Sequence, residues 1–97
     1  MMITTTYLEP RYDTRKSFYN KAKMQSKQTR KKLEIILISY DTVVAKFTKN
    51  DTQIIVENMG YFSQTTTRHQ KEFFKQLGYT DIEVKQIFRN GRLEKVL

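Results

Sequence analysis

The sequence predicts an α+β domain: a small antiparallel sheet of three to four strands packed by one or two C-terminal helices, with a basic N-terminal arm. Three observations predict it. Residues 33–61 hold three apolar, β-branched runs separated by turn residues, residues 63–97 carry helical spacing and capping signals, and most of the excess positive charge lies in residues 1–32. A chain of 97 residues has room for one modest core, so arm (1–32), strands (33–61) and helical part (63–97) belong to one domain, 1–97.

Within the arm, "ITTTYL" (3–8) has the content of a short strand that Pro10 ends. Asp13 or Thr14 can cap one or two helical turns bearing Phe18, Tyr19 and Ala22, and "QSKQTRKK" (25–32), with no apolar residue, reads as an exposed loop or an edge-strand extension. "LEIILISY" (33–40) is the strongest strand. It is apolar on both faces, which predicts a central strand covered on both sides. "TVVAKFT" (42–48) alternates Val43, Ala45 and Phe47 inward with Thr42, Lys46 and Thr48 outward. The join through Asp41 is so short that it requires a tight turn or a bulge, and "KND" (49–51) supplies a hairpin turn to a third strand over 52–61. The next helix is capped by Ser63 or Thr65, carries Thr66, Gln70, Phe73, Phe74 and Leu77 on one stripe, and ends at Gly78 with Tyr79 folding back. "TDIE" at 80–83 is a capping box for a second helix that stops near Asn90-Gly91. The competing reading is a hairpin, "EVKQIF" to "RLEKVL", turning on the same Asn-Gly pair.

Charge narrows the function. Against 18 Lys+Arg stand 10 Asp+Glu, a net of +8. Residues 1–32 account for +7 of it through Arg11, Arg15, Lys16, Lys21, Lys23, Lys27, Arg30, Lys31 and Lys32, set against Glu9 and Asp13. Such a surface suits phosphate. In residues 11–23, Tyr12, Phe18 and Tyr19 interleave with the cations, the combination that single-stranded nucleic acid uses: cations for the backbone, aromatic faces for bases. Phe18 and Tyr19 have an equally simple use as anchors for the arm. There is no cysteine and one histidine, so disulfides and thiolate or polyhistidine metal sites are excluded, no cofactor or metal is expected, and a cytoplasmic location is. No apolar run approaches membrane-spanning length, and the N-terminal stretch lacks a signal-peptide layout.

Catalysis has little material. His69 has Thr65, Thr66 and Glu72 within one helical turn, which can be drawn as hydroxyl, base and orienter, but threonines in a first turn cap helices and Glu72 has Arg68 and Lys75 as ion-pair partners. No phosphate loop, nucleophile elbow or metal motif occurs, so no catalytic residue is assigned and the chain is expected not to be an enzyme. Tyr61, Ser63, Thr65, Thr66, Arg68 and His69 instead form a strand-to-helix junction and a candidate contact surface.

The segments "YDTRKSFYNKA" (12–22), "SYDTVVA" (39–45) and "YFSQTTTRHQKEFFKQLGY" (61–79), in that order, resemble short proteins carried by phages and plasmids of low-GC Gram-positive bacteria. The "TTxRHxxEF" block is the most specific part. Where the pattern has Tyr-Ser, Phe62 here intervenes between Tyr61 and Ser63. The resemblance implies a mobile-element context, which includes inhibitors of type II CRISPR nucleases, and the chain is similar to those in size. A net of +8 excludes imitation of DNA, leaving guide RNA, target DNA or an acidic nuclease surface as the ligand, with guide RNA first. The expectation is therefore a non-enzymatic mobile-element protein, an anti-CRISPR inhibitor of a Cas9-type nuclease acting through its basic surface on the nuclease or its RNA. The alternatives are a small RNA- or DNA-binding accessory protein of a phage or plasmid, and a small nuclease using His69 with Thr65, Thr66 and Arg68. A homodimer stays open because the doubly apolar 33–40 strand needs cover.

Overall fold

The computed structural model describes residues 2–97, so the first residue of the predicted arm lies outside the described residues. Eight elements follow in order: β1 (Met2–Tyr7), β2 (Ala22–Gln28), β3 (Lys32–Ser39), β4 (Thr42–Asn50), β5 (Gln53–Asn58), α1 (Gln64–Gln76), α2 (Asp81–Asn90) and β6 (Arg92–Val96). The strands form one antiparallel sheet in the order β1-β2-β3-β4-β5-β6, with both helices inserted between its last two strands.

The α+β class and the C-terminal pair of helices agree with the sequence. The strand count does not: the sheet has six strands rather than three to four. β1 matches the short strand read at 3–8; the strands beyond the expected four are β2, in the stretch predicted as an arm, and β6, which ends the part predicted as helical. β1 shows in its β-branched and aromatic content, but β2 escapes an apolar-alternation reading because, like β1, it has almost no apolar face. Every residue of β1 is exposed, and β2 buries only Ala22 fully. The expected helical turns near 13–22 are absent, and Asp13 instead turns the chain locally by accepting from the Arg15 N–H at 2.9 Å. For residues 81–96 both sequence readings contribute, since the Thr80 capping box starts α2, Gly91 at φ 82° ends it, and the following segment pairs as β6.

Alternation fails at one place, and a bulge explains it. Ile38 pairs with Val43 while Leu37 pairs with Ala45, so Val44 is the extra residue. Val44 and Ala45 both turn inward, and Val43, predicted inside, points out. The preceding hairpin turns on Tyr40 and Asp41, both at positive φ (49° and 72°), so the tight turn and the bulge, expected as alternatives, both occur. In the next hairpin neither Asn50 nor Asp51 is left-handed. The Asn50 carboxamide oxygen holds that turn by accepting from the Thr52 and Gln53 N–H groups, each at 2.9 Å.

The helices cover one face of the sheet. Leu37, Ala45, Phe47 and Val56 meet Phe73, Phe74, Val84 and Ile87 there, with Leu8 and Phe18 added from the β1–β2 connection. On the opposite face no helix covers β3, contrary to the expectation of cover on both sides. Ile36 sits between Gln25 and Lys46, and Ile38 between Lys23 and Val43, so long polar side chains leave these isoleucines half-buried. Among the described residues no helix is long and apolar enough to cross a membrane.

Candidate nucleic-acid interface

Helix α1 organises everything near the candidate site. Ser63 caps it, accepting from the Thr66 N–H at 3.1 Å, and a Schellman closure ends it: the Tyr79 N–H reaches the Phe74 carbonyl and the Gly78 N–H that of Lys75. Gly78, at φ 100°, provides the left-handed residue that this closure needs. One face of the helix is buried, and it is more polar than its sequence suggests, since Thr66, His69, Gln70 and Glu72 lie inside beside Phe73 and Phe74. Each has partners. Gln70 donates to the Val44 carbonyl at 3.0 Å and the Gly60 carbonyl at 3.1 Å, tying α1 to the bulged strand and to the segment before the helix.

His69 is 1% exposed. Its Nδ1 lies 2.8 Å from Ser39 Oγ, which lies 3.0 Å from Thr66 Oγ1. Ser39 has one proton to give, so with Nδ1 unprotonated it donates to the ring and accepts from Thr66. The Phe18 ring meets the imidazole edge-on, with centroids 4.6 Å apart, and Tyr40 stacks on it at 5.8 Å. Burial pushes the imidazole below its ordinary value of 6.5. Nearby Asp13 opposes that shift and Arg15 adds to it. The unfolded chain therefore takes up the proton first as pH falls. His69 leaves stability untouched above about pH 6.5 and erodes it as pH drops below that, with a slope of at most about 1.4 kcal/mol per pH unit for one proton. Because it is the only histidine, its ring protons report it directly by NMR. A titration midpoint below 6.5 is expected, and one at or above 6.5 would contradict this burial.

Glu72 seats the β1–β2 connection. Its Oε1 accepts from the Tyr12 and Asp13 N–H groups, each at 2.9 Å, and its Oε2 accepts from Gln76 Nε2 at 2.6 Å. Gln76 Nε2 also donates to the Glu9 carbonyl at 2.7 Å, and Arg68 donates to Asp13 Oδ1 at 3.0 Å. Residues 9–13 of the 8–21 connection thus lie along α1, and Tyr12 and Asp13 form one wall of a channel over it.

The channel is a row of clefts that share walls. The largest, about 540 Å³, is lined by Asp13, Tyr61, Gln64, Thr67, Arg68 and Lys71. At Tyr61 and Thr67 it joins one of about 420 Å³ that reaches Phe88, Arg89 and Gly91. At Asp13 and Lys71 it meets a small cleft lined by Tyr12 and Lys75, which leads to another beside Tyr79 and Asp81. The channel therefore follows α1, a helix of about 20 Å at 1.5 Å per residue. Arg68, Lys71 and Lys75 recur at i, i+3 and i+7 along it, and Tyr61 and Tyr12, 76% and 60% exposed, stand at its sides. Arg68 is paired with Asp13 and Lys75 with Asp81, whereas Lys71 has no carboxylate within 4 Å among the described residues.

The predicted residues divide among several places. Of the candidate contact surface, Tyr61 and Arg68 line the channel, Ser63 caps the helix, Thr65 is half-buried, and Thr66 and His69 are buried. Of the nine cations, Arg11, Arg15, Lys16 and Lys21 lie on the connection but line none of the clefts along α1, and Lys23 and Lys27 lie on the uncovered sheet face. Arg30, Lys31 and Lys32 line a cleft of about 250 Å³ at the β2–β3 turn with Lys49. Only Lys23 and Lys32 have a carboxylate within 4 Å among the described residues. Phe18 is buried as an anchor, while Tyr19 is exposed. The sequence reading missed Lys71, Lys75 and Arg89, although the spacing of the first two from Arg68 was there to be seen.

Among the described residues no group of three His, Cys, Asp or Glu side chains is placed to hold a metal. A profile of a family of unknown function, DUF8033, matches residues 6–90. The chain belongs to this family. The matched region takes in the 8–21 connection, all of α1 and Arg89, so the DUF8033 match contains the channel lining except Gly91 and leaves out β6. No curated protein and no solved structure matches the chain.

Proposed function

We propose that the protein is a non-enzymatic nucleic-acid-binding protein that holds a single-stranded segment, RNA before DNA, in the channel along α1. One observation carries this reading: a row of adjoining clefts along α1 with cations at helical spacing and exposed tyrosines beside it, bordered on one side by Tyr12 and Asp13 of the 8–21 connection. Cations neutralise the strand's phosphates and tyrosine faces offer base-stacking platforms. The uncovered sheet face suits stacking less well, because its central strands present Ile36, Ile38, Lys46, Ile55 and Glu57 and no aromatic ring. Burial of His69 beneath Phe18 and Tyr40 supports the non-enzymatic reading over a nuclease, since a general base must reach the proton it removes.

The resemblance gives this reading its specific form, a mobile-element inhibitor of a Cas9-type nuclease that occupies the guide RNA. The test is fluorescence anisotropy with a labelled single-stranded RNA over a salt series. Affinity is expected to fall steeply with salt, the log–log slope shrinking by roughly 0.7 for each phosphate contact removed. Tyr61→Ala should weaken binding by about 1–3 kcal/mol, and Lys71→Ala combined with Arg11→Ala and Arg15→Ala should flatten the salt slope. Loss of binding on changing Arg30, Lys31 and Lys32 to Ala, with the channel variants unaffected, would move the interface to the β2–β3 turn. Salt-independent binding would sink the reading. In the inhibitor form, the protein slows cleavage by a Cas9-type nuclease and the channel variants do not.

A further inference from the structure

We infer that β1 is a dimerisation edge, pairing antiparallel with β1 of a second copy about a two-fold axis through Thr5. This stands on the strand edge alone and does not depend on the nucleic-acid reading.

Strand β1 is the outermost strand of the sheet, so half of its backbone groups face away from β2. Which half follows from the register. Leu8 donates its N–H to the Ala22 carbonyl at 2.9 Å, and the pairing of Thr6 with Met24 and Thr4 with Ser26 continues the same register. In an antiparallel ladder, residues that bond toward one neighbour alternate with residues that bond toward the other. Thr4 and Thr6 therefore bond to β2, and Ile3, Thr5 and Tyr7 point their N–H and C=O groups outward.

The edge is unprotected. Sheet edges are ordinarily guarded by charge, proline or a bulge, and the opposite edge follows that rule, with Arg92, Glu94 and Lys95 in the five residues of β6. β1 has none of these. It pairs with β2 without a register shift, contains no charged residue or proline, and leaves Met2 67%, Ile3 56% and Tyr7 53% exposed.

The sequence is self-complementary in one register. Pairing Thr5 with Thr5 of the second copy sets Ile3 opposite Tyr7, so every outward N–H and C=O of these three residues gains a partner. Shifting the register by two leaves part of the set unpaired. In that register Ile3–Tyr7 is an aliphatic–aromatic cross-strand pair, and Thr4–Thr6 is a hydroxyl pair on the other face. Because odd residues meet odd residues, the axis runs perpendicular to the sheet and both copies carry their helices on the same side. Charge does not forbid it. The two β2 strands, with Lys23 and Lys27, would lie three strand spacings apart, roughly 14 Å at 4.7–4.9 Å each, beyond the Debye length of about 10 Å at 0.1 M salt.

The test is sedimentation velocity of the full chain over a concentration series, with amide exchange by NMR. The wild type is expected to reach twice its 11.7 kDa mass and to protect the Ile3, Thr5 and Tyr7 amides along with those of Thr4 and Thr6. Thr5→Pro removes an outward N–H and no bond to β2, so it should raise the dimer dissociation constant at least tenfold while leaving the Thr4 and Thr6 amides protected. Should Thr5→Pro fail to fold, Thr5→Lys keeps every backbone donor and sets two ammonium groups across the axis, with the same expected rise at low salt. Salt should tighten the dimer and loosen any nucleic-acid complex, which separates the two readings. A wild type that stays monomeric up to millimolar concentration, or a dimer that both variants leave intact, overturns the inference.

Discussion

Glu72→Ala is expected to destabilise the protein by about 2–4 kcal/mol, lowering Tm by on the order of 10–30 °C. The carboxylate is 1% exposed and accepts three hydrogen bonds, from the Tyr12 N–H, the Asp13 N–H and the Gln76 amide. Bonds to a charged acceptor contribute roughly 1.5–3 kcal/mol each, and truncation leaves two backbone donors without a partner in a half-closed site. Part of that cost is recovered as the connection lifts and its N–H groups meet water, which holds the net effect below the simple sum. Lifting has its own signature. Arg11, Arg15 and Lys16 lie on this connection, so trypsin should cut there faster in the variant while cuts elsewhere follow global unfolding. Glu72→Gln keeps an acceptor for both N–H groups and should lose less than half as much. A Glu72→Ala protein with wild-type Tm and an unchanged tryptic pattern would show that the connection is held in some other way. The same variant links stability to binding, because a lifted connection takes one wall of the channel with it.

What the sequence disclosed, and what it hid, follow from the kind of signal each residue carries. Strands β3 and β4, the stripe of α1 and both ends of α2 are written in local chemistry: apolar alternation, Ser63 and Thr80 as caps, Gly78 and Gly91 as left-handed stops. β1 and β2 are held by pairing across the sheet with little burial, so "QSKQTRKK" reads as an exposed loop or an edge-strand extension, and its first four residues are strand. The channel was half legible. Arg68 and Tyr61 were singled out by their neighbourhood, and Arg68, Lys71 and Lys75 share a spacing visible without coordinates. Glu72 was not legible at all, since its two backbone partners lie about sixty positions away and a glutamate flanked by cations looks like an exposed ion-pair residue. His69 shows the same limit from the other side. Its hydroxyl neighbour Thr66 was predicted, but Ser39, which bonds the ring, comes from a strand thirty positions earlier.

Phe74→Ala should be the costliest substitution in the core, at about 3–5 kcal/mol. Against the roughly 5–15 kcal/mol that stabilises a domain of this kind, this leaves a marginal protein, with Tm lowered on the order of 15–30 °C. Phe74 is fully buried and links two elements, with its ring 5.7 Å from Phe73 on its own helix and 5.7 Å from Phe88 of α2 at 76°. Alanine suits the helix, so the cost is that of a cavity and not of lost helix propensity. The damage should be uneven. α2 buries only Val84 and Ile87 fully, and at ten residues it depends on docking, because a helix this short is marginal on its own in water. Hydrogen exchange should therefore rise first in α2 and in β6, which enters the sheet directly from α2, with β3 and β4 affected only through global unfolding. Phe88→Ala removes the half-buried partner of the same pair and should cost less, because part of its ring already meets water. If Phe88→Ala proves as costly as Phe74→Ala, α2 is anchored mainly through its own aromatic ring, and the α1 side of the contact is secondary. Arg89 follows Phe88 at the far end of the channel, so the docking that Phe74 supports also sets where that end lies relative to Tyr61.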